Sequence, residues 1–102
     1  MSFKKQLLKT KDVCKATFTL TAKEIKNANT IHIVGEFNDW NETANPLKKF
    51  KNGNFKITLD LVKGKKYQFK YLVDGSTWIN DGNADLYLPN TFSGENSVII
   101  TE

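Results

Sequence analysis

An all-β fold, two antiparallel sheets packed as a sandwich, is what the sequence predicts, and three observations carry that prediction. Apolar and polar residues alternate with a period of two along several segments, the signature of strands with one wet face. Six or seven such short segments are separated by closely spaced turn signals, as in sandwich folds. The 102 residues, 39% hydrophobic and 25% charged, have the length and composition of one soluble globular domain. A domain of this size buries roughly 60 to 70% of its unfolded surface, enough for one core but not for a deep enclosed cleft. Any ligand site is therefore expected to be shallow.

The first strand begins at Val13, where Cys14, Ala16, Phe18 and Leu20 share one parity and Val13, Lys15, Thr17 and Thr19 the other. Thr21-Ala22-Lys23-Glu24 matches a capping box and predicts a short helical turn across Lys23 to Ala28. Ile31 to Phe37 reads as the next strand. Asn38 to Lys51, rich in asparagine, reads as a long exposed connection that ends at Asn52-Gly53-Asn54. From Asn54 to Val62, Phe55, Ile57, Leu59 and Leu61 oppose Lys56, Thr58 and Asp60, and Lys63-Gly64-Lys65 makes the following turn. From Lys66 to Asp74, Tyr67, Phe69, Tyr71 and Val73 oppose Gln68, Lys70 and Leu72. Asp74-Gly75-Ser76-Thr77 then turns the chain into Trp78. Leu86 to Leu88 and Asn96 to Thr101 complete the set of strands.

Charge and composition exclude several function classes. The net charge of +4 arises from 15 lysines with no arginine, and Lys4, Lys5, Lys9, Lys11 and Lys15 crowd the start. Residues 1–12 are accordingly expected to be a solvated basic leader, with one domain over residues 13–102. Arginine is the side chain that forks onto phosphate and guanine, so its absence argues against nucleic acid as the partner. No apolar run approaches the roughly 20 residues of a membrane helix. The opening MSFKKQLLKTKD lacks the apolar stretch of a secretory signal, so no membrane contact and a cytoplasmic setting are expected. Cys14, the one cysteine, follows the buried parity and reads as a structural thiol. His32, the one histidine, has no second histidine or cysteine to make a metal site and reads as a half-buried or exposed strand residue, so neither metal nor cofactor is expected.

Three motifs, in order, carry a resemblance: Gly35-Glu36-Phe37-Asn38-Asp39-Trp40-Asn41, then Tyr71-Leu72-Val73-Asp74-Gly75 with Trp78, then Pro89-Asn90 with Gly94-Glu95-Asn96-Ser97-Val98. Together they resemble the isoamylase early-set domains and the related glycogen-binding domain of the AMP-activated protein kinase β subunit, over roughly Val13 to Thr101. The resemblance implies an immunoglobulin-like sandwich of early-set type that binds α-1,4-linked glucan of glycogen or starch type. It also implies a sugar surface of two tryptophans, a lysine and an asparagine, which here are Trp40, Trp78, Lys70 and Asn96. The kinase domains add a leucine and a threonine; Phe92 stands in the leucine's place, and the threonine position falls on Gly94.

The chemistry suits these residue types. An indole lies against the C–H face of a glucose ring without demanding hydrogen bonds, while lysine and asparagine serve the hydroxyl edge. Alternation independently turns Lys70 away from the core. Each residue also has a purely structural reading. Trp40 would fold back over the sandwich edge, Trp78 would pair with Tyr71 or Phe69, Lys70 would be one more solvated lysine, and Asn96 would turn the backbone into the last strand. Among rival functions, a glycosidase needs two carboxyl groups flanking the bond in a shaped cleft. Asp74, Asp81 and Asp85 are the candidates, but Asp74 and Asp81 sit in turn contexts where aspartate bonds backbone amides, so no catalysis is expected. The alternative to glucan binding is a protein-interaction module that docks on a glycogen-metabolising or other partner enzyme.

Overall fold

The computed structural model describes residues 2–25, 28–90 and 94–102. Among these, nine strands form two antiparallel sheets. Sheet A is ordered β1-β2-β5-β4, from β1 (Ser2–Leu7), β2 (Val13–Leu20), β5 (Phe55–Val62) and β4 (Lys48–Lys49). Sheet B is ordered β3-β6-β9-β8, from β3 (Ile31–Gly35), β6 (Lys66–Val73), β9 (Glu95–Ile100) and β8 (Leu86–Pro89); β7 (Thr77–Ile79) also pairs with β6.

The alternation read from the sequence becomes the division between core and surface. Ala16, Phe18 and Leu20 of β2 and Phe55 and Leu61 of β5 face Ile31 and Ile33 of β3, Phe69 and Tyr71 of β6 and Ile99 of β9. An aromatic chain ties the layers: the ring centroid of Phe18 lies 5.7 Å from Phe3 and 5.4 Å from Phe69, which is 5.7 Å from Tyr71. The Phe18–Phe69 and Phe69–Tyr71 pairs are edge-to-face, the arrangement that suits the ring quadrupole.

Four expectations differ from what is observed. The strand read over Ile31 to Phe37 ends at Gly35, and Glu36–Asn38 forms a 3-10 turn. The basic leader is in part a strand: β1 pairs with β2 from Ser2↔Thr19 to Leu7↔Cys14. This register turns Lys5 toward the inner side, where its Nζ donates to Asp85 Oδ2 at 2.8 Å and to the Ile100 carbonyl at 2.9 Å, clasping sheet A to sheet B. The long connection contains the short β4, and its residues 45–47 line the outer edge of β3 through hydrogen bonds from Ile33 N to Asn45 O and from Leu47 N to Ile31 O. Thr21 and Glu24 close a turn without a helix. The Glu24 carboxylate accepts from Thr21 N and Oγ1, and Glu24 N donates to Thr21 O. The remainder of that expected turn includes residues 26–27, which lie outside the described residues.

Gly35 is required by space. Its backbone is extended, but a Cβ there would lie 2.5 Å from the Gln68 carbonyl oxygen and 2.7 Å from Phe69 Cβ, whereas a Cβ on Gly82 would meet nothing within 4 Å. Gly35→Ala is therefore expected to cost about 1–3 kcal/mol in urea denaturation, as overpacked cores do, with Gly82→Ala near neutral. Equal stability of the two variants would contradict this packing.

Candidate functional site

The outer face of sheet B is built on β6. Gln68, Lys70 and Leu72 share its outward parity, while Phe69 and Tyr71 point inward. The register places Val34 across from Lys70, His32 and Trp78 on either side of Leu72, and Val98 beside Gln68. Val34, Leu72 and Val98 are buried although they belong to the outward side, so a thin apolar layer underlies the polar residues. His32 is half-buried in the same row, and its Nδ1 is buried without a hydrogen-bond partner among the described residues.

Trp78 projects from β7, 42% exposed, opposite Leu72 and not against Tyr71 or Phe69. The hairpin that carries it turns through Asp74 and Gly75 at φ 51° and 71°, the paired positive values that a type I′ turn requires. The Asp74 carboxylate accepts from the amides of Asn29 at 2.7 Å and Thr30 at 2.9 Å, pinning the hairpin to the segment before β3. These amide bonds, Thr30's first, hold the Asp74 carboxyl below the ordinary aspartate value.

Trp40 follows a 3-10 turn, Glu36–Asn38, and is 39% exposed. Asp39 and Trp40 are both left-handed, at φ 55° and 58°, an uncommon and costly state for a bulky residue. The surrounding bonds enforce it. Asn38 Oδ1 accepts from Gly35 N at 3.0 Å and its Nδ2 donates to Ile33 O and Asn45 Oδ1, while Trp40 N donates to Gly35 O at 2.9 Å. Glu36 Oε1 accepts from Gln68 N at 2.7 Å, fastening the loop to β6. The segments that carry the two tryptophans are thus anchored at opposite ends of the Gln68–Leu72 stretch, which spans roughly 13 Å of strand.

Between them lies a hydrogen-bonded row. Asn96, within β9, donates through Nδ2 to Gln68 Oε1 at 3.1 Å and accepts at Oδ1 from Asn90 Nδ2 at 3.1 Å. Lys70 sits at the seam where β9 stops pairing with β6 and β7 starts, and its Nζ donates to the Glu95 carbonyl at 2.9 Å. Asn80 Nδ2 donates to the same carbonyl, and Asn80 Oδ1 accepts from Ser97 N and Oγ. Ser97 Oγ in turn accepts from Asp81 N at 2.8 Å. Asp81 has no exposed surface; its carboxylate accepts from Tyr71 Oη at 2.7 Å and Asn83 N at 2.8 Å, and its carbonyl from Tyr87 Oη at 2.6 Å. Burial, and then the negative Asp81, raise the Tyr71 phenol well above its ordinary value, so it stays a donor.

Lys70, Asn96 and Trp78 therefore share one face, with the Trp40 loop attached at its Gln68 end. Phe92 lies outside the described residues. Sequence reasoning overlooked Gln68 and Asn80 as members of the row, although the outward parity of Gln68 beside Lys70 was a usable signal. The three candidate carboxylates are separately engaged: Asp74 with amides, Asp81 with Tyr71, and Asp85 with Lys5 and Ile100 N. Among the described residues, no three His, Cys, Asp or Glu side chains gather as a metal site, and no helix is long and apolar enough to cross a membrane.

A sandwich that presents exposed indoles, amides and an ammonium group on an open sheet face has the form of a carbohydrate-binding module. The chain belongs to the family described as the glycogen recognition site of AMP-activated protein kinase, whose model matches residues 16–92. The sandwich is accordingly of the immunoglobulin-like class. Similarity also extends to Cruciform DNA-recognizing protein 1 of Saccharomyces cerevisiae strains RM11-1a, JAY291 and ATCC 204508 / S288c. Each is 40% identical over 52 residues, covering 48% of this chain. The chain spans only 11% of the length of these relatives.

The Asp74 anchor has a pH signature. Because its folded carboxyl is depressed, its stabilisation is present above the ordinary aspartate value and is lost as pH falls through the lower folded value. Asp74→Asn tolerates the left-handed backbone but cannot titrate. The melting-temperature gap between parent and variant is expected at pH 6–7 and should close below about pH 4. A gap of constant size across that range would refute this anchoring.

Proposed function

We propose that this chain binds α-1,4-linked glucan of the glycogen or starch type and catalyses nothing itself. The observation that carries the reading is the pair of exposed indoles, Trp40 and Trp78, mounted at the two ends of the row holding Lys70 and Asn96. The indoles stack on two glucose faces of one glucan, and Lys70 and Asn96 meet hydroxyl edges between them. Such an open surface buries little area, so short oligosaccharides bind weakly and a branched polymer gains by avidity. The absence of catalysis is supported by the engagement of Asp74, Asp81 and Asp85 in structural bonds. The proposed setting is the cytoplasm, a reducing compartment suited to the buried free thiol of Cys14.

A second reading, docking on a glycogen-metabolising or other partner enzyme, is favoured by the opposite face. There Lys4, Lys15, Lys48 and Lys56 point outward from sheet A with Asp60, and Lys48 stands directly across from Lys56. Like charges so placed repel, and an acidic partner would relieve them. The name of the yeast relatives makes DNA a further candidate for the same lysines, one that steep salt dependence would reveal.

Native gels containing glycogen or amylose, run at low and high salt, test these readings together. The parent is expected to be retarded equally at both salts, with Trp40→Ala and Trp78→Ala each weakening retardation about tenfold while remaining folded. An unretarded parent would remove the glucan reading, and retardation that vanishes with salt would move the interaction to the lysines.

A further inference from the structure

We propose that Gln68 is a further sugar-reading residue, supplying hydrogen-bond donors to glucan oxygens from the Trp40 end of the row. The inference rests on the glucan reading above. It follows from counting which polar atoms of the row are already used. Asn96, the amide that the motif singles out, is heavily committed within the protein: Oδ1 accepts from Asn90 and Nδ2 donates to Gln68 Oε1. Lys70 spends one of its three protons on the Glu95 carbonyl. Gln68 uses only its oxygen, and its Nε2 has no hydrogen-bond partner among the described residues. Both Nε2 protons are therefore available on the face that carries Lys70, one outward position, roughly 7 Å, along β6.

The arrangement also holds Gln68 ready. Its backbone amide is fixed by Glu36 Oε1 at 2.7 Å, its side-chain oxygen by Asn96 at 3.1 Å, and its strand on the inner side by the buried Phe69. An amide whose rotamer is already selected loses little entropy on meeting a ligand. With Lys70, the row becomes rich in donors, and the matching ligand presents acceptor oxygens: the hydroxyls of a neutral glucose unit lying between the two indoles. Asn96, on this view, both touches sugar and orients Gln68.

Gln68→Glu separates contact from support, because a carboxylate still accepts from Asn96 Nδ2 but has no protons to give. Titration of maltoheptaose followed by tryptophan fluorescence, with glycogen gels alongside, is expected to give about three- to tenfold weaker binding, the loss of one net hydrogen bond. Gln68→Met, which offers neither donor nor amide oxygen, should lose at least as much. Repeating Gln68→Glu in a Lys70→Met background keeps capture of the lysine by the new carboxylate from being mistaken for a lost donor, and the same loss is expected there. Parental affinity in Gln68→Glu, or a loss that vanishes when Lys70 is removed, would overturn the role of Gln68 and leave the glucan reading standing. Failure of the parent itself to bind either maltoheptaose or glycogen would remove both.

Discussion

A carboxylate with no exposed surface, Asp81, sits where two strands meet end to end along one side of β6, and the geometry of the outer face of sheet B depends on its being satisfied. An unpaired buried carboxylate is untenable, so the fold must deliver Tyr71 Oη and Asn83 N to its oxygens. Once they are delivered, the backbone of Asp81 fixes Ser97, Ser97 fixes Asn80, and Asn80 shares the Glu95 carbonyl with Lys70. A continuous hydrogen-bonded path thus runs from a core phenol to the ammonium group at the surface. Asp81, Ser97 and Asn80 orient the groups along it, and Lys70 forms its outward end.

Strand β6 makes this economy possible. One parity supplies Phe69 and Tyr71 to the core, and the other supplies Gln68 and Lys70 to the face. Because the side-chain period is two, slipping the register by one residue would exchange these roles, so whatever holds β6 in register also holds the site. Gly35 contributes by letting β3 approach β6 closely, and the Trp40 loop leaves from that same point with two left-handed residues held by Asn38. Local strain at Trp40 is offset by bonds to β3 and to Asn45, which belongs to the segment lining its edge.

Strands β2, β5 and β6 were legible in the sequence because their alternation is regular, and the Asp74-Gly75 hairpin because its turn chemistry is local. Strand β1 was obscured by Lys5, an inward lysine that succeeds only because the edge lies beside Asp85 and the Ile100 carbonyl, partners some 80 to 95 positions away. Strand β4 is two lysines long and carries no pattern of its own. For the candidate site, parity identified Lys70 as outward, and the motif resemblance singled out Trp78. The commitment of Asn96, the seam position of Lys70 and the availability of Gln68 depend on pairing across β6, β9 and β8, which no local spacing encodes.

Backbone and indole amide NMR spectra recorded during titration with maltoheptaose address the central claim most directly, since the chain has only two tryptophans. Both indole N–H signals and the amides of Gln68–Leu72 and Asn96 should shift together and saturate at one affinity, while Lys15, Thr17 and Thr58 on the opposite sheet stay still. Shifts confined to sheet A, or indole signals that do not respond to sugar, would contradict a glucan surface on sheet B.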